Sequence, residues 1–499
     1  MWPFQKRLLA RSSALAHTAA SDSFFLPEAD DLASPLPGIL WIELTSKCPF
    51  DCVFCSRQLR RGTGEHMNFQ LLQALIGQLD RPEIIRLNYS GESTHYPHLE
   101  EAVQLAKSTG AITELVSAFA SISQSTLLGL VDSGLDRLSL SVHTLDANQY
   151  QEIYRYGSLE SLKSRVQELR HVKQQRGTEL PKLDFAFVAM ERNLSQLLPV
   201  ASYARDTGVT QIFVHPVIRR DPVPEPFSEE LSDNRLREQF RQDLIHTVAS
   251  AQQKHPEITF TFCNPQINSE THLSGVPQAF PGLLPEGARI STCDQSPWDS
   301  VHILAKGDVM VCEVMDKIPL GNLKEQTLRE IWNGPAYREF RRRYVQGAVP
   351  ECRDCPWKVA YFPSPTRSCF DAREGMSPQL LRGWHQLQNE TVVWSKGESL
   401  LCLKGVAGGK EVRIRGILPH SADGQANFVE LHTNAALLGT VRNDSGAFSE
   451  VDHSFGYTSH QGDLVQLRLK THALYRPSLH GLNSDNRDLG FGLLRVEVL

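Results

Sequence analysis

The chemically most informative residues of this 499-residue chain are its cysteines. Three of the ten form the pattern Cys48-x3-Cys52-x2-Cys55, which directly follows the strand-like apolar run 39–44. Three thiolates at this spacing can bind three irons of a cube-shaped [4Fe–4S] cluster and leave the fourth iron open to a chelating substrate. The alternatives are a zinc site, which normally has four ligands, and three unrelated buried cysteines.

A second group of cysteines follows much later in the chain and consists of Cys293, Cys312, Cys352 and Cys355. The first two flank a predicted hairpin whose Gly307-Asp308 pair favours a tight turn. Considered in isolation, four thiolates with a Cys-x2-Cys pair are most often a structural zinc site. The remaining thiols are interpreted as ordinary buried residues: Cys263, Cys369 and Cys402.

Length, charge and composition exclude several classes of protein. The chain is too long for one core and indicates about three domains at ~150 residues each. Its formal net charge is −6, so it has no global attraction to nucleic acid. No run approaches the ~18 apolar residues of a membrane span, and the first 20 residues lack a signal-peptide core. We therefore expect a cytoplasmic protein without nucleic-acid or membrane partners.

The apolar pattern from about residue 38 to 214 alternates between strand-like and helix-like segments and gives six strand–helix units. Repeated units of this kind imply parallel strands with right-handed crossovers, and six are too few to close the eight-stranded barrel. The sequence therefore predicts an α/β fold with a partial (β/α)6 TIM-like barrel. Beyond about residue 385, short alternating strands between turn residues predict a β-sandwich.

The first cysteine group resembles the signature of the radical S-adenosylmethionine (radical SAM) superfamily, including the aromatic Phe54 before the last cysteine. That family has a Gly-Gly-Glu-like turn after its second strand, which holds the methionine amino group. This chain has Ser90, Gly91 and Glu92 there. Ser90 replaces the first glycine of the family pattern, but its backbone carbonyl could still hold the methionine amino group. The resemblance covers about residues 36–220.

The resemblance implies a [4Fe–4S] cluster on the first three cysteines, with SAM on its open iron. It implies that an electron from the reduced cluster cleaves SAM, and that the resulting 5′-deoxyadenosyl radical abstracts a hydrogen from a substrate carbon. The family often places small polar residues of the fourth strand near the ribose. The candidates here are Ser139, Ser141 and His143.

The second cysteine group, with Gly321-Asn322-Leu323 and Ile331-Trp332-Asn333, resembles the SPASM/twitch extension of radical SAM enzymes, which carries auxiliary [4Fe–4S] clusters. Further cysteines of the full pattern are replaced here by Tyr361 and Pro365. The resemblance therefore implies one auxiliary [4Fe–4S] cluster held by all four cysteines, as in the twitch domain of the aminocyclitol dehydrogenase of this superfamily. A cluster with four cysteine ligands has no open iron and transfers electrons. The alternative at these four cysteines is a zinc ion.

The expected domain boundaries follow from these patterns. They are an N-terminal arm at 1–35, the radical SAM barrel at 36–225, a connecting helical and loop segment at 226–290, a small α+β twitch/SPASM-like domain at 291–375 and the β-sandwich at 385–499. Three residues after the sixth strand form either a solvated loop or a contact to an anion or a substrate carboxylate: His215, Arg219 and Arg220.

These features predict a radical SAM oxidoreductase that oxidises a sugar- or cyclitol-like substrate, with the auxiliary cluster as electron acceptor and a flavodoxin- or ferredoxin-type electron donor. The carbohydrate interpretation also uses the C-terminal segment 475–492, which resembles β modules of bacterial glycan-biosynthesis proteins. The enzyme alternative is a peptide-modifying (RiPP-type) maturase, although no leader-peptide-binding module is recognised at the N-terminus. The non-enzyme alternative is a zinc-stabilised glycan-binding or scaffold protein.

Overall fold

The computed structural model describes the following residues: 32–55, 64–218, 227–232, 235–264, 278–279, 282–286, 288–293, 295–313, 318–361, 367–374, 377, 379–385, 391–421, 426–433, 436–460, 464–480, 485 and 487–499. Most of the expected N-terminal arm, and Arg219 and Arg220, lie outside these residues. Contacts divide the chain into two compact units. The barrel unit comprises Leu36–Ser269 and Gln295–Glu339, and the sandwich unit comprises Met1–Pro35, Glu270–Asp294 and Phe340–Leu499.

The barrel unit alternates strands and helices as the sequence pattern predicts. Its strands are β1 (Ile39–Ile42), β2 (Ile84–Arg86), β3 (Ile112–Ser117), β4 (Arg137–Ser141), β5 (Lys182–Ala189), β6 (Gln211–Pro216), β7 (Leu231–Ser232), β8 (Arg235–Leu236), β9 (Thr259–Phe262), β12 (Ser300–Ile303), β13 (Asp308–Met310) and β14 (Gly321–Asn322). Its helices are α1 (Phe69–Ile76), α2 (Leu99–Lys107), α3 (Gln124–Asp132), α4 (Ala147–Tyr154), α5 (Leu159–Arg176), α6 (Leu197–Asp206), α7 (Glu238–Lys254) and α8 (Leu328–Trp332), and α9 (Pro335–Val345) leads into the other unit.

Strands β1 to β6 are neighbours in sequence order and are all parallel, which confirms the predicted partial barrel. The same sheet continues on both sides, with β9 parallel to β6 and β12 parallel to β1. The predicted hairpin around Gly307 is present as β12–β13, but it belongs to the barrel sheet. All four residues of β12 are buried, as parallel strands covered on both faces require.

Helix α4 matters for the site because it packs beside the cysteine loop. The Asp146 side chain caps its start by accepting a hydrogen bond from the Gln149 backbone N–H at 2.8 Å. It ends at Arg155, whose φ of 54° breaks the helix. Its apolar face, with spacing i, i+3 and i+4, consists of Tyr150, Ile153 and Tyr154, and all three are buried.

The sandwich unit is built mainly from antiparallel sheets. Its strands are β10 (Gln278–Ala279), β11 (Arg289–Cys293), β15 (Lys358–Tyr361), β16 (Cys369–Asp371), β17 (Leu380–Trp384), β18 (Val393–Lys404), β19 (Gly409–Leu418), β20 (Asn427–Thr433), β21 (Ala436–Asn443), β22 (Ser449–Ser459), β23 (Leu464–Thr471) and β24 (Gly492–Val498), and α10 spans Pro350–Asp354. Strands β10, β15 and β11 form a small sheet, and β16–β24 form a larger one around a continuous apolar core. This arrangement is the predicted C-terminal β domain.

The expected domain limits stay a prediction, because contacts assign segment 291–375 partly to each unit. Of the thiols interpreted as buried, Cys402 is buried, whereas Cys263 and Cys369 are half-buried. Burial raises the pKa of Cys402 to about 12. Within the described ranges, every helix is too short or too polar to cross a bilayer.

Candidate functional site

The loop that carries the first cysteine group follows β1, at the carboxyl ends of the parallel strands. Two backbone hydrogen bonds hold it on the end of α4, from Asp51 N to Tyr154 O at 3.2 Å and from Val53 N to Ile153 O at 3.0 Å. These two bonds flank Cys52. The loop is therefore fixed by backbone contacts on either side of its central thiol, at the barrel edge where active sites lie.

The three thiols of the loop act on one another electrostatically. Burial and the charge of Glu92 raise the pKa of Cys48 to about 12, with a further contribution from Cys55. Burial and the charges of Cys55 and Cys48 raise the pKa of Cys52 well above its usual value. Thiolates that repel one another in this way need a cationic partner, which an iron cluster supplies. The donor set therefore fits a cluster held by three cysteines.

Among the described residues, no three His, Cys, Asp or Glu side chains converge on a single metal ion. Thiolates of a [4Fe–4S] cluster do not need to converge in this way, because each binds a different iron.

The turn after β2 lies directly against the cysteine loop. The backbone N–H of Glu92 donates to the Lys47 carbonyl oxygen at 2.9 Å. A Cβ atom at Gly91 would lie 2.1 Å from the Thr45 carbonyl oxygen and 2.6 Å from that of Lys47. Only glycine permits this approach, because any side chain would collide with backbone that cannot move aside. The predicted Gly91 therefore has a steric role in joining the two loops.

Glu92 is 4% exposed, and its carboxylate is fully engaged by the protein itself. Oε1 accepts hydrogen bonds from Thr94 N at 3.3 Å, Thr94 Oγ1 at 2.8 Å and Ser117 Oγ at 2.8 Å. Oε2 accepts one from Ala118 N at 2.9 Å. The carboxylate thus ties the turn after β2 to the end of β3. A direct contact of Glu92 with SAM stays a prediction.

We expect Glu92→Gln to destabilise the protein by about 1–3 kcal/mol, because the new amide N–H2 would face donors and leave a buried polar group unsatisfied. Urea unfolding monitored by fluorescence measures this. The matched control is Glu101→Gln on α2, where the side chain is exposed, and its stability should equal that of the parent. Unchanged stability combined with weaker SAM binding would instead make Glu92 a cofactor contact and contradict the structural role.

The side chain of Ser90, which lies in the same turn, also hydrogen-bonds to another residue of the protein. Its hydroxyl donates to Oε1 of Glu43, a buried carboxylate that directly follows β1. Glu43 Oε2 accepts a hydrogen bond from Ala305 N at 2.9 Å, in the turn between β12 and β13. Sequence patterns did not single out Glu43. Glu43 connects the end of β1, the turn after β2 and the turn between β12 and β13. These contacts fix the position of the turn that contains Ser90.

The three residues predicted near the ribose differ in their surroundings. Ser139 pairs with Asp184 across β4 and β5, and its hydroxyl interacts with that buried carboxylate, whose pKa burial raises. The carbonyl of Ser141 accepts a hydrogen bond from the Tyr154 hydroxyl at 2.7 Å. His143 follows two residues later at the rim. Ser139 is thus engaged inside the sheet, whereas His143 reaches the neighbourhood of the cysteine loop.

The ring of His143 is held on several sides. It stacks on Tyr154 with centroids 5.2 Å apart and meets Phe54 edge-to-face at 4.8 Å. Its Nδ1 accepts a hydrogen bond from Val188 N at 3.1 Å, which places the proton of the neutral ring on Nε2. Burial, and then the charge of His215, lower the pKa of His143 to about 3. His143 is therefore a neutral hydrogen-bond donor next to Phe54.

His215, at the carboxyl end of β6, approaches the same region, because its charge acts on His143. Burial lowers the pKa of His215 to about 4, and the charge of Glu313 partly opposes this. Glu313 directly follows Cys312 and was not singled out in the sequence. The only sequence feature that could have indicated Glu313 is its position next to Cys312, a candidate cluster ligand. The two histidines predicted on the active rim are thus brought together.

The second cysteine group is represented in the sandwich unit by three members around Tyr344. Burial and the charges of Cys293, Cys352 and Cys355 raise the pKa of the Tyr344 phenol well above its usual value. The Lys358 ammonium is buried nearby and donates to the Cys355 carbonyl oxygen at 2.9 Å. Cys312 belongs to the barrel unit, after β13. The four-cysteine ligand set therefore stays a prediction.

Comparison with known families assigns both cysteine regions. Residues 42–179 match the model of the radical SAM superfamily, and residues 293–356 match the SPASM model, described as an iron–sulfur cluster-binding domain. The first match includes Cys48, Cys52 and Cys55, and the second includes all four later cysteines.

Curated relatives align with about two thirds of the chain. The PqqA peptide cyclase of Gluconobacter oxydans is 23% identical over 342 residues, which is 66% of this chain and 84% of the relative. A tungsten-containing aldehyde ferredoxin oxidoreductase cofactor-modifying protein of Pyrococcus furiosus is 20% identical over 344 residues, covering 64% and 88%. The solved structure of Streptococcus suis SuiB bound to S-adenosylmethionine aligns at a TM-score of 0.47 and 15% identity, covering 61% of this chain and 68% of that one.

The two family matches give the site its cofactors, because a radical SAM domain binds SAM and a [4Fe–4S] cluster and a SPASM domain binds auxiliary iron–sulfur clusters. The three coupled thiols beside β1 fit the first of these requirements. Residues 42–179 therefore form a radical SAM domain, and residues 293–356 form a SPASM-type iron–sulfur cluster-binding domain.

Proposed function

We propose that this protein is a peptide-modifying radical SAM enzyme. The observation that carries the proposal is the similarity of this chain to PqqA peptide cyclases. The alignment covers 84% of the length of the Gluconobacter oxydans protein. The sequence favoured oxidation of a sugar-like molecule as the main reading and a peptide maturase as the alternative. The relatives support the alternative.

SAM and a reduced [4Fe–4S] cluster, when bound, supply the abstraction of a hydrogen atom from an unactivated C–H bond. The polypeptide has to orient that bond and exclude water. Gly91 lets the turn after β2 lie against the cysteine loop, and Glu92 fixes that turn to β3. Phe54 and Tyr154 cover two sides of the His143 ring with aromatic surface. These contacts make the region beside the cysteines rigid and apolar.

His143 is the group that we assign to substrate orientation. Its ring is neutral, and Nε2 carries the proton because Nδ1 accepts a hydrogen bond from Val188 N. A neutral N–H can donate to a peptide carbonyl without placing a charge in a buried site, where an unpaired charge would be costly. His143 therefore suits a peptide backbone. An auxiliary cluster bound at the later cysteines would supply an acceptor for the electron that the substrate loses, and a flavodoxin- or ferredoxin-type protein would supply the electron for SAM cleavage.

The test uses anaerobically reconstituted full-length protein with SAM and dithionite. Short peptides encoded next to its gene form one arm, and a panel of amino- and deoxyhexoses and cyclitols forms the other. We expect a peptide to be modified in a SAM-dependent reaction that raises 5′-deoxyadenosine formation, with loss of two hydrogen atoms per crosslink in mass spectra. Oxidation of a sugar or cyclitol while all peptides stay unchanged would contradict the proposal.

A further inference from the structure

A chain of ion pairs crosses four neighbouring strands of the barrel sheet, β2 to β5. Arg86 Nε lies 2.7 Å from Glu114 Oε2, and Arg137 Nη2 lies 3.1 Å from Asp184 Oδ2. Between these two pairs, Arg137 Nε lies 3.8 Å from Glu114 Oε1. Arg86, Glu114 and Arg137 are cross-strand neighbours, so their side chains share one face of the sheet. We call these four residues the ion-pair layer.

The ion-pair layer belongs to the inner face of the barrel. Leu115 and Leu138, which alternate with its members on β3 and β4, are 0–1% exposed, as expected for the outer face that the helices cover. Alternate residues of a strand point to the same side, so the inner face of β4 continues from Arg137 in steps of two toward His143. The layer therefore lies on the face that leads to the site beside the cysteine loop.

The inner face next to the ion-pair layer is open and lined by small side chains. Val116 is 37% exposed, although β3 is a central strand of the sheet. Its cross-strand neighbour is Ser139, and one step nearer to His143 the paired residues are Ser141 and Ala186. Bulky side chains would fill the interior of a barrel at these positions. The small ones leave room for a ligand group beside the layer.

Two atoms of the layer have hydrogen-bonding capacity left. Glu114 binds Arg86 through Oε2, and its Oε1 accepts no hydrogen bond from any residue that the structure describes. Arg137 donates to Asp184 through Nη2, whereas the 3.8 Å between its Nε and Glu114 Oε1 is too long for a hydrogen bond. The Arg137 and Glu114 side chains are 27% and 16% exposed, so a ligand can reach them. A donor and an acceptor thus lie side by side without satisfying each other.

The charges of the ion-pair layer balance, because it contains two guanidinium groups and two carboxylates. A further charged group would have no counterion in this half-buried place, which is costly. A neutral group that both donates and accepts avoids that cost. A primary carboxamide does so from two adjacent atoms, its N–H2 and its carbonyl oxygen. A hydroxyl has a single oxygen for both contacts and therefore matches the pair less well.

We propose that Glu114 and Arg137 bind a side-chain carboxamide of the substrate, whose N–H2 donates to Glu114 Oε1 and whose oxygen accepts from Arg137 Nε. This rests on the proposed function, because in a peptide the group belongs to asparagine or glutamine. The guanidinium reaches the level of Ser139, the cross-strand neighbour of Asp184. Ser139 precedes His143 by four residues, or about 13 Å of strand. The pair therefore selects the substrate at a point remote from the reacting C–H bond.

The test measures binding of four probes to the reconstituted full-length protein in the presence of SAM. The probes are N-acetyl methylamides of glutamine, glutamate, lysine and leucine, and saturation-transfer NMR titrations give their dissociation constants. We expect the glutamine probe to bind at least about tenfold more tightly than the others, because each of these loses a hydrogen bond to a charged group or adds a charge. Equal binding of all four, tighter binding of another probe, or no binding of any would overturn the proposal.

Arg137→Lys and Arg176→Lys are matched variants. Arg137→Lys keeps the positive charge but removes the Nε–H group, so the preference for the glutamine probe over the leucine probe should fall by about tenfold. Arg176 on α5 forms an ion pair with Asp132 at 2.8 Å on the exposed surface, and Arg176→Lys should keep the parental preference. An unchanged preference in Arg137→Lys would overturn the proposal. If that variant fails to fold, the four probes on the parent decide.

A turnover experiment distinguishes failure of this inference from failure of the proposed function. Each asparagine or glutamine of a peptide that the parent modifies is replaced in turn by leucine. We expect one replacement to lower kcat/KM by at least about tenfold. Modification of a peptide that contains neither residue, or replacements without effect, would overturn the inference while the proposed function stands. Preferential binding of the glutamine probe without modification of any peptide would support the carboxamide site and contradict the proposed function.

Discussion

Cys52→Ala is expected to abolish SAM cleavage while leaving the auxiliary cluster in place. Cys52 is the central thiol of the loop, and its charge interacts with those of Cys48 and Cys55. The two remaining thiolates cannot bind three irons of a [4Fe–4S] cluster. Changes in groups that only support a metal ligand already cost about 10–100-fold, so loss of a ligand should lower 5′-deoxyadenosine formation by more than about 100-fold. Iron should fall from about eight to about four per chain, because a [4Fe–4S] cluster is lost.

Cys263→Ala is the control for this experiment. Cys263 is also a thiol of the barrel unit, where it directly follows β9 and is half-buried. It should retain about eight irons and full SAM cleavage. Equal activity of Cys52→Ala and the parent would contradict the assignment of the cysteine loop. Zinc instead of iron in the anaerobically purified parent would contradict it as well.

The barrel could be predicted from the sequence because each of its strands and helices is indicated by a short local pattern of apolar residues. Segments such as 39–44 and 136–142 are short apolar or alternating runs, and the structure has β1 and β4 there. The order of alternating strands and helices then fixes parallel neighbours in chain order. The cysteine spacing is equally local, so the sequence alone predicts that the three thiols share one loop after β1.

The pairing of β12 with β1 could not be predicted in the same way. Ile39 and Ser300 are neighbours in the sheet although their positions in the chain differ by 261. Nothing in the local pattern of β12 distinguishes a strand of the barrel from a strand of the following domain. The Gly307 turn was visible in the sequence, but the sheet to which its hairpin belongs depends on which long-range partner covers the buried β12.

The roles of the site residues were the least predictable part. Family resemblance suggested Glu92 and Ser90 as cofactor contacts, and the structure shows both side chains engaged by the protein. The donors to Glu92 include Ser117 and Ala118, which no spacing rule connects to it. The proton position on His143 depends on Val188 N, again a distant partner. Such roles are set by tertiary hydrogen bonds, which leave no periodic pattern in the sequence.

Cys355→Ala is expected to separate the two clusters in function. The barrel unit contains all three cysteines of the loop, whereas Cys355 lies in the sandwich unit near Tyr344. Its loss should remove about four irons per chain and leave SAM cleavage without substrate within about threefold of the parent. Modification of the substrate should fall by more than about 100-fold, because the electron released from the substrate then has no acceptor.

The control is Cys369→Ala, a half-buried thiol on β16 of the same unit that pairs with Glu497 of β24. It should keep about eight irons and full turnover. The informative quantity is the ratio of 5′-deoxyadenosine to modified substrate, which should rise in Cys355→Ala and stay at the parental value in Cys369→Ala. If Cys355→Ala modified substrate at the parental rate, the auxiliary cluster would be structural, and electron transfer from the substrate would need another route.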